Sequence, residues 1–355
     1  MLSSIRLLGA CFGLLAFVAC AKMAEPPGGP PDTTPPNVLA VAPETSAVDV
    51  PVTAPIRIQF SEKVDEKSLE SAIWVTPGGV SKPRIDFDGE TAEIQLGRAL
   101  PESTTIGVLV TTLVRDRRGT GFENRLGRPV RWVFSTGRTL WPGRIRGTLE
   151  TVGVEPRGAG VVLVALYAEE GDSIPDPTRA EPLAITQPDT TNRFDLTGLP
   201  ARGVPMWLFA MYDRNGNGQI AGTGEFASAV PESVFLSADA PGMNVKLKLV
   251  DPRAPATVEG TIVTAEADTI VKWVELFAAG ADSASLPPRR SQVGKKGLFS
   301  VSNLRPGRFR LTLFCDVNGN GARDADEPST PFGELDLAPG SKRQIGNWRI
   351  TGCQP

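Results

Sequence analysis

Between residues 38 and 137, apolar and polar side chains alternate in short runs: Ile56-Arg-Ile-Gln-Phe60, Ala92-Glu-Ile-Gln-Leu96, Val108-Leu-Val110 and Val130-Arg-Trp-Val-Phe134. A period of two sends successive side chains to opposite faces of an extended chain, so each run predicts a strand with one buried face. Asp88-Gly89 falls between two such segments and predicts a hairpin, because both residues tolerate positive φ. One stretch differs: Val64 to Ile73 places Leu69, Ala72 and Ile73 on one helical face, with Asp65 placed to cap the first turn. About seven short strands without strand–helix–strand alternation predict a Greek-key sandwich.

The remainder of the chain repeats itself at a spacing of roughly 105 residues. Ile145-Arg-Gly-Thr148 answers Val258-Glu-Gly-Thr261, and Arg193-Phe-Asp-Leu-Thr-Gly-Leu-Pro200 answers Leu298-Phe-Ser-Val-Ser-Asn-Leu304. Leu208-Phe-Ala-Met-Tyr-Asp-Arg-Asn-Gly-Asn-Gly218 answers Leu311-Thr-Leu-Phe-Cys-Asp-Val-Asn-Gly-Asn-Gly321. In the second copy Phe309, Leu311, Leu313 and Cys315 fall on one strand face and Arg308, Arg310 and Thr312 on the other, which predicts a strand buried on one side.

Composition narrows the chemistry. The 32 Pro and 37 Gly favour turns over helices. With 37 basic against 40 acidic residues and a net charge of -3, there is no basic field to hold nucleic acid. The absence of His removes the commonest general base and every His-ligated metal site, and no enzyme activity is expected. Trp132, Trp207 and Trp273 lie inside apolar runs and read as core.

Residues 1–20 have the form of an export signal, an Arg-bearing start followed by the apolar run Leu7 to Ala19. Phe17-Val18-Ala19-Cys20 resembles the lipobox of bacterial lipoproteins, although Phe17 stands where Leu is usual. That resemblance implies cleavage before Cys20, acylation of Cys20, and Ala21 permitting sorting to the outer membrane. Ordinary signal cleavage without lipid is the alternative. Residues 21–36, AKMAEPPGGPPDTTPP, cannot pack and read as a tether reaching about 50 Å if extended.

Residues 37–138 resemble the bacterial immunoglobulin-like domains of S-layer and envelope lipoproteins. The resemblance rests on Ala42-Pro43, Phe60-Ser-Glu-Lys-Val-Asp65, Ser68-Leu69 and the closing Phe134-Ser-Thr-Gly137, and departs at Asp116-Arg-Arg-Gly119. The duplicated blocks, assigned to residues 139–252 and 253–355, resemble the prealbumin-like sandwiches of carboxypeptidase regulatory-like domains and adhesin B-repeats. The expected fold is therefore all-β: tandem β-sandwiches, one Ig-like and two prealbumin-like.

The Asp-Asn-Gly loops carry the most specific chemistry. Asp316, Asn318, Asn320, Ala322, Asp324 and Glu327 occupy positions 1, 3, 5, 7, 9 and 12 of a twelve-residue calcium loop, with Gly321 at the sharp turn. A hard cation needs six to eight oxygens, which alternate residues supply only where the chain reverses tightly. The first copy offers Asp213, Asn215, Asn217, Gln219 and, one position late, Glu225, a poorer set. For both loops the alternative is an ion-free hairpin in which the side chains bond their own backbone. Once Cys11 leaves with the signal and Cys20 is acylated, Cys315 and Cys353 remain, either as a disulfide or with Cys315 as a buried small hydrophobe. The functional expectation is a lipid-anchored, calcium-stiffened binding or scaffold protein meeting an envelope protein or polysaccharide. The competing expectation is a carbohydrate- or peptide-recognising accessory subunit of an export or degradation complex.

Overall fold

The computed structural model describes residues 33–78, 83–117, 124–156, 160–168, 173–216, 220, 222–264, 269–279, 287–351 and 353. The export signal, Cys20, most of the tether, Asn217 and Gln219 lie outside the described residues.

The N-terminal unit comprises β1 (Val38–Ala42), β2 (Ile56–Phe60), α1 (Glu66–Ala72), β3 (Ile73–Thr76), β4 (Arg84–Asp88), β5 (Thr91–Gln95), β6 (Thr105–Val110) and β7 (Val130–Ser135). They form two sheets, β1-β2-β5-β4 and β3-β6-β7. The period-two reading holds in β2, where Ile56, Ile58 and Phe60 are buried and Arg57 and Gln59 are exposed. Asp65 caps α1 by accepting from the Ser68 N–H at 2.8 Å, and Leu69 and Ala72 face inward. The hairpin turn sits one residue later than expected: Asp88 pairs with Thr91, leaving Gly89-Glu90 as the loop with Gly89 at φ 64°. Of the two loop residues only Gly89 has positive φ, the pattern of a hairpin turn that takes Gly at its first central position, so Asp88 falls in the ladder.

The first repeat runs through β8 (Gly143–Val152), β9 (Val161–Ala168), β10 (Ala184–Thr186), β11 (Arg193–Leu199), β12 (Pro205–Asp213), β13 (Phe226–Ala227), β14 (Glu232–Phe235) and β15 (Gly242–Val250). The second runs through β16 (Ala256–Thr264), β17 (Val271–Ala278), β18 (Arg289–Gln292), β19 (Leu298–Leu304), β20 (Gly307–Asp316), β21 (Ser329–Leu337) and β22 (Lys342–Ile350). Each repeat pairs a three-stranded sheet, β11-β8-β15 or β19-β16-β22, with a larger one built on β10-β9-β12 or β18-β17-β20. In each, the last strand runs parallel to the first. The duplication extends to backbone detail, since Gly198 (φ 71°) and Asn303 (φ 56°) occupy the same place in β11 and β19.

The repeats differ in what their larger sheets bury. Leu166, Leu208 and Leu247 fill the first repeat, and Val274, Leu311 and Leu335 fill the second. The opposite face of β9 and β12, carrying Leu163, Ala165, Tyr167, Phe209 and Met211, belongs to one continuous apolar cluster with Ile58, Ile106 and Phe134 of the N-terminal unit. The Ig-like sandwich and the first repeat therefore share a core. The corresponding face of the second repeat carries Arg310 and Thr312 beside Phe314, so the expectation of one-sided burial fits β20 only over its first half.

Candidate metal centre

β20 delivers Asp316 to the outer face of its sheet, where the carboxylate is only 5% exposed. Its Oδ2 accepts from the Gly321 N–H at 3.0 Å and from Trp273 Nε1 at 3.2 Å. Its Oδ1 is buried and has no hydrogen-bond partner. An unsatisfied carboxylate oxygen inside a folded protein is unfavourable.

The rest of the loop is held by its own side chains. Asn318 Oδ1 accepts from the Asn320 N–H at 3.0 Å, and Asn320 Oδ1 accepts from the Ala322 N–H at 2.6 Å. Each amide oxygen keeps a second lone pair. Asn318 and Asn320 both donate from Nδ2 to Asp324 Oδ2, at 2.7 and 2.8 Å. Glu327 closes the circle by accepting from Val317 N–H at 2.8 Å and Asp324 N–H at 3.1 Å. Among the described residues no three His, Cys, Asp or Glu side chains gather around one point, so an ion here would depend on the Asn oxygens and the Ala322 carbonyl as well as on carboxylates. The donors are all oxygen, which suits a hard cation.

The loop is pinned to the sheet by residues that the sequence reading passed over. Glu275 in β17 is fully buried, with Arg290 Nε at 2.7 Å and Arg323 Nη1 at 4.0 Å. Arg290 also donates to the Gly321 carbonyl at 3.0 Å. The signal was a lone Glu inside the apolar run Trp273-Val-Glu-Leu-Phe277, since a charge at such a position needs a partner. Trp273 corrects a sequence expectation: it stands on the outer face beside Phe314 and bonds Asp316, so it is not core. Trp132 is buried, and Trp207 packs against the shared cluster.

In the first loop Asp213 Oδ1 accepts from the Gly216 N–H at 2.8 Å. Glu225 accepts from the Gly222 N–H at 2.6 Å and so closes its own turn. Ile220 from this loop enters the shared core, and Asn215 lies near Asp65 and Ser68 at the end of α1. The loop thus sits against the Ig-like unit. Cys315, on the inner face of β20, is joined by a disulfide to Cys353 with a Cα separation of 5.6 Å, and both are buried.

Residues 32–136 match the bacterial Ig-like domain family. Among curated proteins none matches the chain. Solved structures that align with it include the Bacillus anthracis TIE protein, at 11% identity and a TM-score of 0.24, covering 88% of this chain and 57% of that one. A putative cell adhesion protein from Bacteroides ovatus aligns at 12% identity and a TM-score of 0.29, covering 59% of this chain and 93% of that one. An L,D-transpeptidase from Mycobacterium smegmatis aligns at 19% identity and a TM-score of 0.22, covering 44% and 76%. Similarity at this level carries no argument about activity. Among the described residues no helix is long and apolar enough to cross a membrane.

Proposed function

We propose that this chain is a non-catalytic envelope lipoprotein that acts as a rigid scaffold: acylated at Cys20, held off the membrane by residues 21–36, and stiffened at its far end by Ca²⁺ in the Asp316–Glu327 loop. The observation that carries this reading is the apolar cluster joining the Ig-like unit to the first repeat, which makes a single block of two sandwiches. A protein whose domains reorient around ligand would keep a polar, wet interface there. The Ig-like match over residues 32–136 supports an envelope setting, the lipobox supports a lipid anchor, and Ala21 permits sorting to the outer membrane. Calcium is supported by the unpartnered Asp316 Oδ1 and by the oxygen side chains that follow it in the loop. The first loop, with Glu225 engaged by Gly222 and Ile220 buried in the shared core, is assigned a packing role.

The anchor is tested by metabolic labelling with palmitate. Wild type incorporates label and partitions with membranes, and Cys20→Ala does neither; undiminished labelling of the variant refutes the anchor.

A further inference from the structure

A cleft of about 720 Å³ opens where the Ig-like unit meets the three-stranded sheet of the first repeat. Its floor is the outward face of β8, β11 and β15, and its wall is formed by β6 and β7. From the wall comes Arg131, which donates from Nε to the Ile185 carbonyl at 3.0 Å and from Nη1 to Thr197 Oγ1 at 3.2 Å. Among the described residues Arg131 makes no ion-pair contact within 4 Å, and the nearby Asp195 carboxylate favours its charged form. Burial pushes the Arg131 pKa down to about 10, so it remains a cation at neutral pH. Gly107 leaves the space: a Cβ there would stand 2.7 Å from Arg131 Nη2.

The floor adds Arg193 and Lys246, both exposed and neither in an ion pair among the described residues. Its two carboxylates are already engaged. Asp195 bonds Arg144 and lies 3.4 Å from Arg146, while Asp189 accepts from Thr191 and from the Arg193 N–H. On a chain with net charge -3 this leaves a local excess of positive charge.

The duplication provides an internal control. Where the first repeat has Arg146, Arg193 and Asp195, the second has Glu259, Leu298 and Ser300. Lys246 stands opposite Thr148 in the first repeat, and Asn347 stands opposite Thr261 in the second. A requirement of the sandwich itself would appear in both copies. The basic set appears only in the copy that adjoins Arg131.

We propose that this cleft binds the carboxylates of an acidic polysaccharide, with Arg131, Arg193 and Lys246 as its cations. Guanidinium groups match carboxylate geometry, and the Thr148 and Asn244 side chains between them can serve sugar hydroxyls. A sheet face offers no main-chain ladder, which is how an extended peptide adds to a sheet. The site is independent of the anchor and of the calcium loop.

The test is isothermal titration of the full chain with hexagalacturonate at low salt. The expected result is saturable binding that weakens as salt rises, vanishes when the same oligomer is methyl-esterified, and weakens at least tenfold in Arg193→Glu/Lys246→Glu. These two side chains are exposed, so the double variant folds. Arg131→Gln is the companion where it folds, and Lys342→Glu, on the second repeat's matching face, leaves binding unchanged. Absence of binding overturns the proposal. So does binding that survives the double charge reversal, or equal binding of hexaglutamate or inorganic phosphate.

Discussion

At the scale of single residues, Asp316 holds one carboxylate oxygen bonded twice and the other buried with no partner. A cation that completes its coordination binds the folded state alone and stabilises it, by about 2.7 kcal/mol at a hundred times the dissociation constant. For a domain of this size that is a rise in melting temperature of roughly 10 °C. Differential scanning calorimetry at a calcium concentration about a hundred times the dissociation constant is expected to show this rise in the second repeat. Asp316→Ala is expected to abolish it, and Asp213→Ala to leave it intact. A second residue-scale prediction concerns acid. The Arg144 guanidinium beside Asp195 holds that carboxyl below the ordinary carboxylate range, against the opposing effect of its partial burial. A depressed carboxylate contributes stability that is fully present above its unfolded value of about 3.9 and is lost as pH falls through its lower folded value. Urea midpoints measured downward from pH 6 are therefore expected to decline more shallowly in Asp195→Asn than in wild type.

At the scale of elements, β11 and β19 show how a shared backbone serves two settings. Gly198 and Asn303 both adopt left-handed φ, which costs a residue with an ordinary Cβ about 1–2 kcal/mol. At Gly198 an added Cβ would also stand 2.8 Å from Thr105 Cγ2 and 3.1 Å from Val133 Cγ1 of the Ig-like unit. Gly198→Ala is therefore expected to cost a further 1–3 kcal/mol or so of overpacking, while Asn303→Ala costs the backbone term alone; urea denaturation of the two variants compares them directly. The same elements show what the sequence revealed. β2 and α1 were legible because their buried positions recur at the period of their own geometry. The second face of β12 was signalled by Met206-Trp-Leu-Phe-Ala-Met-Tyr212, which does not alternate, whereas Arg308, Arg310 and Thr312 interrupt the matching stretch of β20. A run without alternation indicates burial on both faces but does not say against what. The oxygen-bearing spacing of the Asp316–Glu327 loop is visible in the sequence; the Glu275–Arg290 pair beneath it was not, because its members lie 15 positions apart on strands whose register only the fold sets.

At the scale of the whole molecule, the distribution of apolar clusters decides how many parts unfold independently. Three sandwiches strung like beads would give three transitions. Here one cluster runs from Ile56 through Phe134 to Phe209 and Met211, across the boundary between the Ig-like unit and the first repeat. The first and second repeats have separate clusters and meet through the short stretch from Asp251 to the start of β16, where the Gly340 N–H donates to the Ala254 carbonyl at 2.9 Å. Cooperativity follows shared burial, so calorimetry of the full chain is expected to resolve two transitions, of which calcium moves one. Truncating Phe209, which is 4% exposed within the shared cluster, removes packing worth about 3–5 kcal/mol from the larger block. Phe209→Ala is therefore expected to lower the calcium-insensitive transition and split it as the Ig-like unit and first repeat uncouple. The calcium-sensitive transition should stay in place. Three transitions in the wild type would mean that the shared cluster does not couple its two halves, and the rigid-scaffold reading would fall with it.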